Sequence, residues 1–112
     1  MDQPTPVFDG PHFAVIFTTR SRNTDNTLYL ETAEEMERLA AEQPGYLGID
    51  SARSPDGLGI TVSYWRDLDA IAAWRDNTRH KVAQQLGRDK FYELFTLRIA
   101  RVEHGRAWEH SG

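Results

Sequence analysis

The sequence has no cysteine. That absence removes disulfides, thiolate nucleophiles, iron–sulfur ligation and cysteine-built zinc sites together, so any chemistry must come from other side chains. Long apolar runs are missing too: the longest, Phe13 to Phe17, is far short of the ~20 residues a membrane-spanning helix requires. Nor is positive charge in surplus. Thirteen basic against seventeen acidic side chains give a formal charge of −4, and without a broad electropositive surface little can exchange counterions with a nucleic-acid backbone. Met1 to Pro11 holds no basic cluster followed by an apolar run, so no secretory signal is read and the expected compartment is the cytoplasm. Gly45, Gly48, Gly57 and Gly59 belong to turns and strands rather than to a strand-to-helix phosphate loop. No two histidines lie one helical turn apart, and neither a metal nor a cofactor is expected.

What remains is the composition of a folded domain. A chain of 112 residues, 39% of them hydrophobic, suits one hydrophobic core. Residues 1–11 read as a flexible arm, because three prolines remove amide donors and little apolar surface is available to order them. The domain is expected over 12–104 and a short tail over 105–112. Phe13, Val15 and Phe17 alternate with Ala14 and Ile16 as a strand, followed by a polar loop from Arg20 to Thr27. Tyr29, Ala33, Met36 and Ala40 recur at helical spacing until Gln43-Pro44-Gly45 stops the helix. Tyr46 to Arg53 and Leu58 to Trp65 form a hairpin around Ser54-Pro55-Asp56-Gly57. Asp67 is placed to cap a second helix carrying Leu68, Ile71 and Trp74, and Phe91 to Glu103 reads as a long last strand.

The order β-α-β-β-α-β is the ferredoxin-like α+β arrangement, with two helices on one face of an antiparallel sheet. The strands are apolar on both faces. Phe13, Val15 and Phe17 oppose Ala14 and Ile16; Ile60, Val62 and Tyr64 oppose Gly59, Thr61, Ser63 and Trp65; Phe91, Phe95, Leu97 and Ile99 oppose Tyr92, Leu94, Ala100 and Val102. Helices cover only one face, and wetting the other costs about 25 cal/mol per Å² of apolar surface. A second copy of the sheet is the economical cover, so a homodimer is expected.

Two motifs extend this reading. Gln43-Pro44-Gly45-Tyr46-Leu47-Gly48 leaves the first helix, and Gly59-Ile60-Thr61-Val62-Ser63-Tyr64-Trp65 runs into Asp67-Leu68-Asp69-Ala70-Ile71-Ala72-Ala73-Trp74, with the two tryptophans nine residues apart. From Pro44 to Glu103 the chain resembles the antibiotic-biosynthesis-monooxygenase-like family of dimeric α+β barrels. One branch of that family oxidises polycyclic phenols to quinones without a cofactor, using an Asn four residues before the strand-end Trp and a Tyr in the following helix. Trp65 matches the Trp, while those two positions hold Thr61 and Ile71. Another branch degrades haem with an Asn near the end of the first strand, a helix Trp and a His further on. Trp74 matches, but the strand reads Thr18-Thr19-Arg20, the ligand position falls on Ala83 or Gln84, and His80 comes earlier.

The resemblance implies a monooxygenase acting on an aromatic or polycyclic small molecule held between sheet and helices. A non-catalytic dimer that binds or senses a small apolar ligand is the alternative, with haem degradation third. Catalytic candidates are Trp65, Trp74 and His80. Trp74 reads either as the floor of a pocket for a planar ligand or as core filling, and His80 as a proton carrier or a solvated surface residue. Tyr64 and Tyr92 read either as phenolic donors or as strand residues packed with their hydroxyls in water, Arg98 as a partner for an anionic group or for a cross-strand carboxylate, and Asn23 as a residue at the cavity mouth or simply part of a polar loop.

Overall fold

The computed structural model describes residues 3–21, 27–77 and 92–110. Six elements follow in order: β1 (His12–Ser21), α1 (Thr27–Ala41), β2 (Tyr46–Arg53), β3 (Leu58–Trp65), α2 (Leu68–Arg75) and β4 (Tyr92–Val102). The four strands form one antiparallel sheet in the order β2-β3-β1-β4, so the chain has the ferredoxin-like α+β fold. β1 runs through Arg20 to Ser21, past the expected start of the loop. The strand persists because Arg20 is paired on both sides, with Leu58 and with Leu94, before the register shifts at Ser21.

Local chemistry sets the joints. Gly45 and Gly57 take φ of +85° and +97°, a left-handed conformation that a side chain penalises. At the hairpin the Ser54 amide donates to the Leu58 carbonyl at 2.8 Å and the Gly57 amide to the Ser54 carbonyl at 3.2 Å. At the other joint the Arg66 amide donates to the Gly45 carbonyl at 2.8 Å, tying the exit of α1 to the start of α2. The Asp67 carboxylate accepts from the Ala70 amide at 2.8 Å, which satisfies one orphan donor of α2. At 8 residues α2 is too short to persist alone in water, so packing holds it.

That packing is concentrated on one side of the sheet. Trp65 is fully buried and lies with Ala40 of α1 and with Ala70 and Ile71 of α2. Phe13, Val15, Tyr46 and Trp74 pack around this cluster. Register places Phe13, Val15 and Phe17 opposite Trp65, Ser63 and Thr61, and these residues form the helix face. The expected faces of β3 and β4 are reproduced. Yet Phe95, Leu97 and Ile99 of the edge strand, which share the helix face, are 40%, 46% and 45% exposed. Among the described residues the helices lie over the part of the sheet that carries Trp65 rather than over β4.

On the opposite, open face the cross-strand rows read Leu94–Arg20–Leu58, Thr96–Thr18–Ile60, Arg98–Ile16–Val62 and Ala100–Ala14–Tyr64, with Gly48 beside Tyr64. Apolar residues dominate, though Arg20, Thr18, Thr96, Arg98 and, beside Val62, Asp50 interrupt them. The segment before β1 lies against one end of this face. The Thr5 amide donates to Asp50 Oδ1 at 2.7 Å and its hydroxyl to the Ile49 carbonyl at 3.0 Å, while the Phe8 ring meets His12 edge-on at 5.4 Å. Polar anchoring to β2 compensates for the donors that the prolines remove.

Candidate functional site

The aromatic centre of the helix face is built by strand alternation and one helical turn. Trp65 closes β3, Asp67 starts α2 two residues later, and Trp74 falls on the buried side of that helix. Their rings stack with centroids 6.2 Å apart and planes 25° from parallel. Tyr46, first residue of β2, meets Trp65 edge-on at 5.7 Å. The Trp65 indole Nε1 donates to Ser63 Oγ at 2.9 Å, which fixes the ring and satisfies a buried donor.

Moving along the same face from Trp65, alternation brings Ser63, then Thr61, toward Gly59. Thr61 Oγ1 and Ser51 Oγ are hydrogen-bonded across β2 and β3 at 3.2 Å. Thr19, 4% exposed, places its hydroxyl close to Gly59, where an added Cβ would lie 3.3 Å from Thr19 Oγ1. The indole pair therefore continues into a row of hydroxyls. Each hydroxyl can donate and accept, so the row suits the oxygen substituents of a flat aromatic molecule. Such groups orient a phenol but are poor bases.

Tyr46 adds a phenol beside the indoles. Burial first, then the negative charges of Glu37 and Asp50, push its pKa above the usual tyrosine value, so it stays a neutral donor. In the sequence Tyr46 stands out only as a member of the Gln43–Gly48 motif and the first residue of a strand. Its signal was position: the first strand residue after Pro44-Gly45 returns directly over the strand-end Trp.

The other candidates are not gathered here. Tyr64 points to the open face, where its hydroxyl donates to Asp50 Oδ2 at 3.0 Å. Burial, followed by this bond and the Asp50 charge, raises its pKa. Arg98 also lies on the open face, exposed, with Nη1 donating to Thr96 Oγ1 at 3.1 Å. A ligand between helices and sheet cannot touch Tyr64 or Arg98 while it touches the indoles. Tyr92 is described only as the β4 residue paired with Ser21, and Asn23 and His80 lie outside the described residues. Among the described residues no group of three His, Cys, Asp or Glu could hold a metal ion, and no helix is long and apolar enough to cross a membrane.

Asp50 has a measurable signature. Partial burial works to raise its pKa, but hydrogen bonds donated by the Thr5 amide and the Tyr64 hydroxyl outweigh it and hold the carboxyl below its ordinary value of 3.8. A depressed folded pKa contributes stability above the unfolded value, and that contribution disappears as pH falls through the folded one. Asp50→Asn is accordingly expected to be less stable than the native chain near neutrality, with the gap closing as the solution is acidified below about pH 4. Urea midpoints across that range check it; a gap that stays constant would mean the carboxylate charge contributes nothing.

Comparison with known proteins agrees with this geometry. Residues 12–86 match the family model described as antibiotic biosynthesis monooxygenase. An uncharacterized protein of Bacillus subtilis (strain 168), YqjZ, is 45% identical over 111 residues, covering 99% of this chain and 96% of its own. A protein of Pyricularia oryzae named jasmonate monooxygenase ABM is 34% identical over 94 residues, or 80% of this chain; the match spans 43% of that relative's length. The solved structure of SnoaB, a cofactor-independent oxygenase from Streptomyces nogalater, superposes with a TM-score of 0.69 at 12% identity, over 88% of this chain and 98% of that one. Together with the strand order and the Trp65–Trp74 pair, these matches show that the chain belongs to the antibiotic biosynthesis monooxygenase family.

Proposed function

We propose that this protein is a cofactor-independent monooxygenase that oxidises an electron-rich aromatic or polycyclic small molecule, working as a homodimer. The carrying observation is the stacked Trp65–Trp74 pair, flanked by Tyr46 and continuing into Ser63, Thr61 and Ser51 on one sheet face. The Pyricularia relative is named a monooxygenase and SnoaB a cofactor-independent oxygenase, which supports the reaction type; the aromatic substrate rests on the indole pair alone. A planar substrate would lie against the aromatic wall with its oxygen substituents on the hydroxyls. Holding the ring in one pose as dioxygen arrives is the protein's contribution, because the ionised substrate itself supplies the electrons. At a reacting CH2, one oxygen atom becomes the new carbonyl and the other leaves as water with the two hydrogens, so the reaction needs no external reductant.

A non-catalytic ligand-binding dimer is the second reading. It is favoured by Thr61 and Ile71, which stand where the family resemblance implies an Asn and a Tyr. Oxygen consumption with an anthrone-type substrate decides between them. The expected result is uptake of one dioxygen per quinone formed, with weaker ligand binding in Trp74→Phe, which retains ring burial but loses the indole N–H. Tight binding of the aromatic compound without any uptake would leave only the binder. Haemin titration without a Soret shift is expected and removes haem degradation.

The homodimer rests on the open face. Leu58, Ile60 and Leu94 lie in its first two rows and are 39%, 45% and 55% exposed, a cluster of a kind that soluble monomers keep small. Sedimentation at micromolar concentration is expected to give twice the chain mass of 12.8 kDa. A value equal to one chain would dismiss the homodimer.

A further inference from the structure

The open face is not uniformly open. From the Leu58–Leu94 row to the Tyr64–Ala100 row it extends about 20 Å, six residues along a strand. At the far end it is crossed by the chain's own residues before β1. Thr5 is held on β2 through the Asp50 carboxylate and the Ile49 carbonyl, at 2.7 and 3.0 Å. Phe8 then lies 6.4 Å from the Tyr64 ring and 5.4 Å from His12, whose Nδ1 is 3.2 Å from the Gly10 carbonyl. His12 is only 6% exposed. Val7 lies against Gly105, where a Cβ would come within 2.9 Å of it. This segment has a built seat, because a Cβ on Gly48 would collide with the Thr5 side chain. Asp50 is the latch, accepting Thr5 from one side and Tyr64 from β3 at 3.0 Å on the other.

We propose that residues 3–8 form a strap that sets where a second copy sits: latched on Asp50 over Gly48, it closes the Tyr64–His12 end of the open face and confines the partner's sheet to the Leu58–Ile60–Leu94 end. The inference rests on the homodimer reading above. A second copy is the occupant because the uncovered part is itself a twisted sheet face of the same size and apolar character as the one it must cover, and sheets pack face to face about 10 Å apart. The strap occupies that space at the Tyr64 end, so the two copies cannot stack over their whole length while it is latched. Unlatching frees Tyr64, Ala14 and Ala100 for contact and lets the partner slide toward them.

The cysteine-free chain offers a direct test. Ala73→Cys places a single thiol on the exposed side of α2, across the sheet from the contact, for a nitroxide label. Pulsed electron spin resonance on this variant reads one distance between copies. Two further variants unseat the strap independently: deletion of residues 1–9, and Gly48→Ala, which blocks Thr5 without touching Asp50. The expected result is a dimer in all three proteins, with the inter-label distance maximum displaced in both strapless variants. Faster amide exchange at Thr5 in Gly48→Ala checks that the seat is lost. Dimers with an unchanged distance after strap loss overturn the strap and leave the homodimer standing. A native protein that sediments as a single chain overturns both.

Discussion

Trp65→Ala is expected to cost the protein a large share of its stability. Trp65 is the largest fully buried side chain among the described residues, and the buried cluster it belongs to otherwise consists of Ala40, Ala70 and Ile71. Its removal takes away the surface against which α1 and α2 both rest, the stacking partner of Trp74, the edge-on partner of Tyr46, and the donor to Ser63 Oγ. Large-to-small substitution of a buried tryptophan costs about 3–5 kcal/mol, against a total of about 5–15 kcal/mol for a small domain. Chemical denaturation should show the midpoint collapse. Trp65→Phe should lose less, because a ring still fills much of the space while the Ser63 bond, worth about 1 kcal/mol, is gone. If the alanine variant lost under 1 kcal/mol, the helices would have to be anchored elsewhere.

The effect separates the two tryptophans that the sequence presented as a pair. Trp65 is sealed under both helices, whereas Trp74 is half-buried on the rim of the same stack. A ligand meeting this face therefore reaches Trp74 first, and Trp65 acts through it as a rigid backing. Mutating Trp74 should be read in binding, and mutating Trp65 in folding.

Much of the architecture was readable from alternation. Phe13, Val15 and Phe17, or Ile60, Val62 and Tyr64, assign their own faces because side chains in a strand have a period of two, and the observed pairing Phe13 with Trp65 and Ile16 with Val62 preserves every one of those assignments. Helix ends were readable because Asp67 and Gly45 carry local chemistry that needs no tertiary partner. What alternation does not encode is how far the helices spread laterally. Hence the exposure of Phe95, Leu97 and Ile99 on the helix face was not visible in the pattern.

The site was legible in part for the same reason. Period two already separates Tyr64 from Trp65, yet proximity in sequence grouped them as one aromatic patch; the register puts a sheet between them. Tyr46 was missed because its importance comes from the pairing of β2 with β3, a contact across 19 positions that no local motif states. The docking of Thr5 was hidden in a subtler way. Three prolines argue for an unstructured segment, but the hydrogen bonds that hold it come from Asp50 and the Ile49 carbonyl, more than forty residues away.

Gly45→Ala is expected to be nearly as damaging as loss of the tryptophan, for a purely geometric reason. Gly45 combines φ +85° with contact at the β3–α2 joint: an added Cβ would lie 2.5 Å from Ala70 Cβ, and Ala70 is itself buried. The left-handed conformation alone costs an L-residue about 1–2 kcal/mol, and forcing a methyl into a packed core adds about 1–3 kcal/mol. Neither cost can be relieved cheaply. Backing away from Ala70 strains the Arg66 amide bond to the Gly45 carbonyl, and moving α2 uncovers Ile71 and Trp65. Gly10→Ala is the control, since Gly10 has φ +78° but no heavy atom within 4 Å of the added Cβ. Urea denaturation should therefore show a loss of about 2–5 kcal/mol at Gly45 and only the conformational part at Gly10. Equal losses at the two positions would show that α2 yields to the methyl, and that the close approach of Gly45 to Ala70 does not hold the helix on the sheet.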